Sequence, residues 1–218
     1  MTETQKQIDA LVAGATPVRR LRPPLVRALS WLALAGAILA LLAIGHGVRS
    51  DLVERLHQPI FLVSIAAALA TGVLAAIAAF MVSLPDRSQS WLLLPLPALV
   101  AWVGTIGYGC LTHWVAIGPD GVQLGETLRC FATLVLASVP LTVALAVMLR
   151  HAALLRPVAA TLAGALAVAA ITSSALALLH DIDATAMILI WNLGTATAIV
   201  ALGGLFGARL FRAPPHLT

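Results

Sequence analysis

The side chains of this chain whose types and spacing could do chemistry are a few thiols, imidazoles and carboxylates. Cys110 and His113 stand three residues apart and Glu126 and Cys130 four apart, so each pair shares one face wherever its segment is helical. His46, His57, His180, Asp181 and Asp183 add further groups at the same ends of the apolar runs described below. Thiolate, imidazole and carboxylate are the ligand types of zinc and similar divalent metals, and two cysteines in an oxidising compartment can instead form a disulfide. The spacing matches no strict metal motif, and the competing reading is that the cysteines are small apolar residues and the histidines and acids solvated turns. No HExxH, GxSxG, phosphate-binding glycine loop or CxxC occurs, so no familiar enzyme centre is indicated.

The elements that must position these groups are set by composition. Hydrophobic residues make up 61% of the 218 residues, charged residues 10%, and the mean hydropathy is +1.00, more apolar surface than a water-soluble core of this size can hide. A helix needs about 20 residues to cross the hydrocarbon of a bilayer. Six runs approach or reach that length: 28–48, 59–84, 91–111, 128–148, 157–179 and 185–208. The expected fold is therefore all-α, a polytopic bundle of six transmembrane helices in one domain over 28–208, flanked by tails over 1–27 and 209–218. None of the runs has an ionisable residue in its middle, which argues against a proton-coupled pump and leaves open a small transporter or permease for an uncharged or metal solute.

Basic residues orient the bundle, because Lys and Arg near span ends stay in the cytoplasm. Ten of the 13, namely Lys6, Arg19, Arg20, Arg22, Arg27, Arg87, Arg150, Arg156, Arg209 and Arg212, fall on one face; only Arg49, Arg55 and Arg129 fall on the other. Both termini are expected in the cytoplasm of a bacterial inner membrane, with the cysteines at the periplasmic face. The first run begins too late and runs too long for a cleaved signal peptide, so it is expected to remain as an anchor. Gly203 with Gly207, and Ala160 with Gly164, are small-xxx-small pairs that favour close packing in the bundle, with a homodimer contact as the alternative.

The cytosolic tail carries a different pattern. Thr2 and Gln5 fit a capping box, and Ile8, Leu11 and Val12 recur at helical spacing, which predicts an amphipathic helix over residues 3–13 ending near Gly14. So short a helix needs a surface to fold against. Its polar face holds Glu3, Gln5, Gln7 and Asp9 with only Lys6, which suits a protein groove better than a lipid surface. Beyond it Arg19, Arg20, Arg22 and Arg27 form a basic elbow, and Pro23 and Pro24 stiffen the entry to the first span.

The stretches "LVAGATPVRRLRPP", "CFATLVLASVP" from Cys130, and "LLHDIDATAMILIWNLG" resemble those of the NrsF family of six-span anti-sigma factors, negative regulators of sigma F. The resemblance runs over nearly the whole chain. It implies that the N-terminal segment sequesters an extracytoplasmic-function sigma factor, with no catalysis and no direct contact to nucleic acid. A periplasmic metal or oxidative stress signal linked to cysteines then releases it. On this resemblance Ile8, Leu11, Val12, Val18, Arg19, Arg20, Leu21 and Arg22 are the sigma-binding residues. Cys130 matches the first family cysteine, whereas Asp181 stands where the second is expected. Cys110, Cys130, His180 and Asp181 are thus the candidate sensing residues, and Cys130, His180 and Asp181 a candidate site for a divalent metal.

Overall fold

Three of the long helices start at a proline, whose fixed φ and missing N–H suit the first helical position. They are α2 (Pro24–His46), α4 (Pro59–Val82) and α7 (Pro157–Leu179). The computed structural model describes residues 3–13, 22–112, 124–150, 156–179 and 201, excepting the side chains of 109–112 and 124–131. Its other elements are α1 (Glu3–Ala13), the short α3 (Leu52–Leu56), a 3₁₀ turn (Gln89–Leu93), α5 (Leu96–Thr112) and α6 (Leu124–Leu149). All regular structure among the described residues is helical.

Five segments are long and apolar enough to cross a membrane: Pro24–His46, Pro59–Val82, Gln89–Tyr108, Ala132–Leu149 and Pro157–Leu179. They correspond to the first five expected runs; the sixth run and the C-terminal tail lie outside the described residues. The third run is not one continuous α-helix. Its 3₁₀ start gives way to α5 at Leu94 and Pro95, because a proline removes a backbone donor and disfavours helix in the residue before it. The first helix starts four residues earlier than its apolar run, so Arg27, expected in the elbow, lies inside α2 and is buried. Pro24 sets that start, and the apolar pattern alone could not show it.

The helices run alternately between two ends. Arg27 at the start of α2 meets Phe80 near the end of α4 and Met148 near the end of α6, and Arg156 donates to the Arg87 carbonyl at 2.7 Å. This is the tail end, beside α1 in sequence. At the opposite, far end α2 stops at Gly47, whose φ of +77° favours glycine, and Arg49 N–H donates to the Leu178 carbonyl at 3.3 Å.

α7 is the most enclosed helix and packs along α4, then α6. Alanine lines this contact from both sides, with Ala75, Ala76 and Ala79 on α4 and Ala160, Ala163 and Ala167 on α7. Small side chains let backbones approach, and dispersion then supplies what water exclusion cannot in lipid. The approach is closest where a Cβ on Gly72 would lie 2.8 Å from Ile171 Cδ1, and where one on Gly164 would run into Leu145. The Ala160 and Gly164 pair therefore packs within the bundle, while Gly203 and Gly207 lie outside the described residues. Buried hydroxyls are met by their own helices, Thr71 donating to Ala67 O at 2.7 Å and Ser174 to Ala170 O at 2.9 Å. Trp31, Phe80 and Leu141 fill the wider space between α2, α4 and α6. Leu29, Leu41 and Ile44 on α2 and Val139, Val143 and Val147 on α6 face outward, as lipid-facing residues must.

Candidate functional site

The tail folds as its pattern predicts. α1 has no buried residue, and Ile8, Leu11 and Val12 are 47%, 75% and 68% exposed along one stripe. Gln5 and Asp9 are joined across one turn by a 3.2 Å hydrogen bond. An apolar stripe left exposed by the described residues is a half-interface. Arg22 is exposed beside Pro23; Val18, Arg19, Arg20 and Leu21 lie outside the described residues.

At the far end, sequence reasoning missed a cluster that geometry makes plain. Arg49 grips Asp51 with two bonds, Nε to Oδ1 at 2.5 Å and Nη2 to Oδ2 at 2.9 Å, and Arg55 Nε adds a third to Oδ2 at 3.1 Å. The same guanidinium donates through Nη1 to the Ala177 carbonyl at 3.3 Å and lies 5.7 Å over the Phe61 ring. Arg49 is thus a buried cation that closes the last turn of α7, where carbonyls lack helical partners and the dipole favours positive charge. The one signal for it in the sequence is the Arg-x-Asp-x-x-x-Arg spacing, in which Asp51 and Arg55 stand one helical turn apart.

This clasp is built to survive acid. The Arg49 hydrogen bond, with that of Arg55 and both positive charges, holds the Asp51 carboxyl down at about 2 against a partial desolvation that pushes it up. A carboxyl lowered from its ordinary value of 3.8 contributes its full stability above that value and loses it only as pH falls towards about 2. Thermal unfolding of Asp51→Asn in detergent should therefore lag the parent by one constant margin from about pH 7 to about pH 5, and the margin should close between about pH 4 and about pH 2. A margin already gone at about pH 6 would contradict the assignment.

The sensing candidates are placed by backbone alone, since the side chains of Cys110 and Cys130, and His180 and Asp181 entirely, lie outside the described residues. Cys110 is near the end of α5 and Cys130 in the second turn of α6, both at the far end. α6 and α7 run antiparallel, with Leu145 against Gly164 and Leu134 clustered with Leu176. Carrying that register about one turn onward sets the Cys130 backbone level with Leu179, the last residue of α7. α5, which carries Cys110, instead packs chiefly on α4 among the described residues. His46 ends α2 exposed, and His57 turns back to the Val53 carbonyl at 2.7 Å. Among the described residues no three His, Cys, Asp or Glu side chains come together as a metal site.

No curated protein and no solved structure matches the chain. A family model does, the one described as NrsF: Negative regulator of sigma F, over residues 11–212. With all-helical architecture, five apolar helices of membrane-crossing length and that match over most of its length, the chain belongs to the NrsF family of negative regulators of sigma F.

Proposed function

We propose that the protein is an inner-membrane anti-sigma factor whose cytoplasmic N-terminal segment sequesters an extracytoplasmic-function sigma factor and frees it when the periplasmic end senses metal or oxidant. The observation that carries this is α1, an amphipathic helix whose apolar stripe is exposed among the described residues. Ile8, Leu11 and Val12 enter a hydrophobic groove of the sigma factor as an i, i+3, i+4 anchor set. Arg19, Arg20 and Arg22 add charge complementarity and speed encounter. The protein acts by binding and makes no covalent change.

At the far end Cys130, His180 and Asp181 form the sensing set, with Cys110 secondary. Their thiol, imidazole and carboxylate suit a borderline divalent ion, and the thiol alone suits an oxidant. The level of Cys130 with the end of α7 supports this grouping, because His180 and Asp181 follow Leu179 directly in the chain.

The test is co-purification of the full-length protein from membranes with the sigma factor encoded beside it, compared with a chain lacking residues 1–22. The sigma factor should accompany the first and be lost from the second. Equal recovery with both would overturn the reading. A permease, the reading from another class, would keep solute uptake in proteoliposomes after the same deletion.

A further inference from the structure

Two side chains of α2 reach across to carbonyls of α6. Trp31, fully buried, donates its indole N–H to the Leu141 carbonyl at 3.1 Å. Arg27, one turn nearer the tail, donates from Nη2 to the Met148 carbonyl. Arg27 and Trp31 share one face of α2, and Leu141 and Met148 are two turns apart on one face of α6. Neither bond follows from helix formation, since each joins side chain to backbone across the bundle.

The Arg27 contact is incomplete in a telling way. Its guanidinium lies 5.1 Å over the Phe80 ring, has no carboxylate partner among the described residues, and leaves Nη1 buried without a hydrogen bond. A buried cation held by one carbonyl and one ring is a poorly satisfied contact, costly to keep buried and weakly tied to α6. Arg27 is also five residues beyond Arg22, where the tail enters the bundle. The other end of the same α6 helix carries Cys130, 18 residues from Met148, or about 27 Å of continuous helix.

We infer that the Arg27 and Trp31 tie is the coupling element of the molecule: α6 carries a change at its Cys130 end to the tail through these two hydrogen bonds. The inference rests on the proposed sigma-binding role of the tail. Pro140 makes the tie necessary. It removes one backbone donor from the middle of α6, where a helix flexes most readily, and Trp31 holds the adjoining Leu141 carbonyl. α2 thereby splints α6 at the point where a displacement would otherwise be absorbed.

Coupling of two sites is reciprocal, so the tail's occupancy must alter the chemistry of Cys130 as Cys130 alters the tail. In a Cys110→Ser background, the full-length protein in nanodiscs would be treated with a membrane-impermeant maleimide, with and without the sigma factor bound. Binding should change the Cys130 labelling rate by about fivefold, the factor one hydrogen bond of ordinary strength supplies. Trp31→Phe keeps a ring in place, removes only the donor, and should bring the change below about twofold. If that variant does not accumulate, Arg27→Lys, which keeps the charge but not the reach, carries the same expectation. An equal change in labelling for parent and variant would overturn the inference. Absence of any bound sigma factor in the parent would instead strike the reading of the tail.

Discussion

Leu11→Asp in the full-length protein should weaken capture of the sigma factor by roughly a thousandfold. Leu11 is the most exposed of the three stripe residues at 75%, so in the free protein the substitution removes no packing and leaves folding of the bundle intact. In the complex the leucine loses its burial, worth about 1.5–3 kcal/mol, and an unpaired carboxylate in an apolar groove costs about as much again. The control is Lys6→Ala on the polar side of α1, expected to change affinity by less than about twofold. Titration of purified sigma factor onto nanodisc-held protein measures both. Wild-type affinity for Leu11→Asp would rule out the groove.

Cys130→Ser is the second large effect, and it concerns response and not binding. Serine matches cysteine closely in size but forms no thiolate at physiological pH, is not oxidised through the sulfenic series, and is a poor ligand for soft or borderline metals. A sigma-dependent reporter in cells exposed to divalent metal or oxidant should lose at least about tenfold of its induction, while basal repression stays as it was because the tail is untouched. Cys110→Ser should lose far less, since α5 packs chiefly on α4 among the described residues. An unchanged dose response in Cys130→Ser would remove that cysteine from the mechanism.

Why some of this was legible in the sequence and some was not follows from the reach of the interactions. Apolar length and proline act locally, so α4 and α7 start at the residues their prolines indicate. The helix over residues 3–13 was equally legible, because an i, i+3, i+4 stripe is a property of one segment. Arg27 was misjudged as part of a solvated elbow, since its burial depends on Phe80 and Met148, 53 and 121 residues away. The Arg49 clasp was hidden for the same reason: Asp51 is a near neighbour, but the carbonyl of Ala177 is 128 residues distant. Charged residues near span ends look alike in sequence whether they orient the chain or close a helix. The level of Cys130 against α7 was likewise invisible, because register between helices is set by where a glycine admits a leucine.

That glycine gives the molecule a fulcrum. Leu145 seats where Gly164 leaves space, so sliding α6 along α7 would drive Leu145 out of that seat, whereas a tilt about this point would not. Measured along the helix, Cys130 lies on an arm of about 22 Å and Met148 on one of about 4.5 Å. On the inferred coupling, a rigid tilt at the Cys130 end would reach the Met148 carbonyl reduced about fivefold and reversed in direction, provided that the Trp31 bond at Leu141 moves with it. Jostling of less than an ångström at the far end would leave the Met148 carbonyl in place, while a shift of several ångströms would move it by up to about an ångström against the guanidinium. Leverage of this kind would set a threshold below which the tail stays silent.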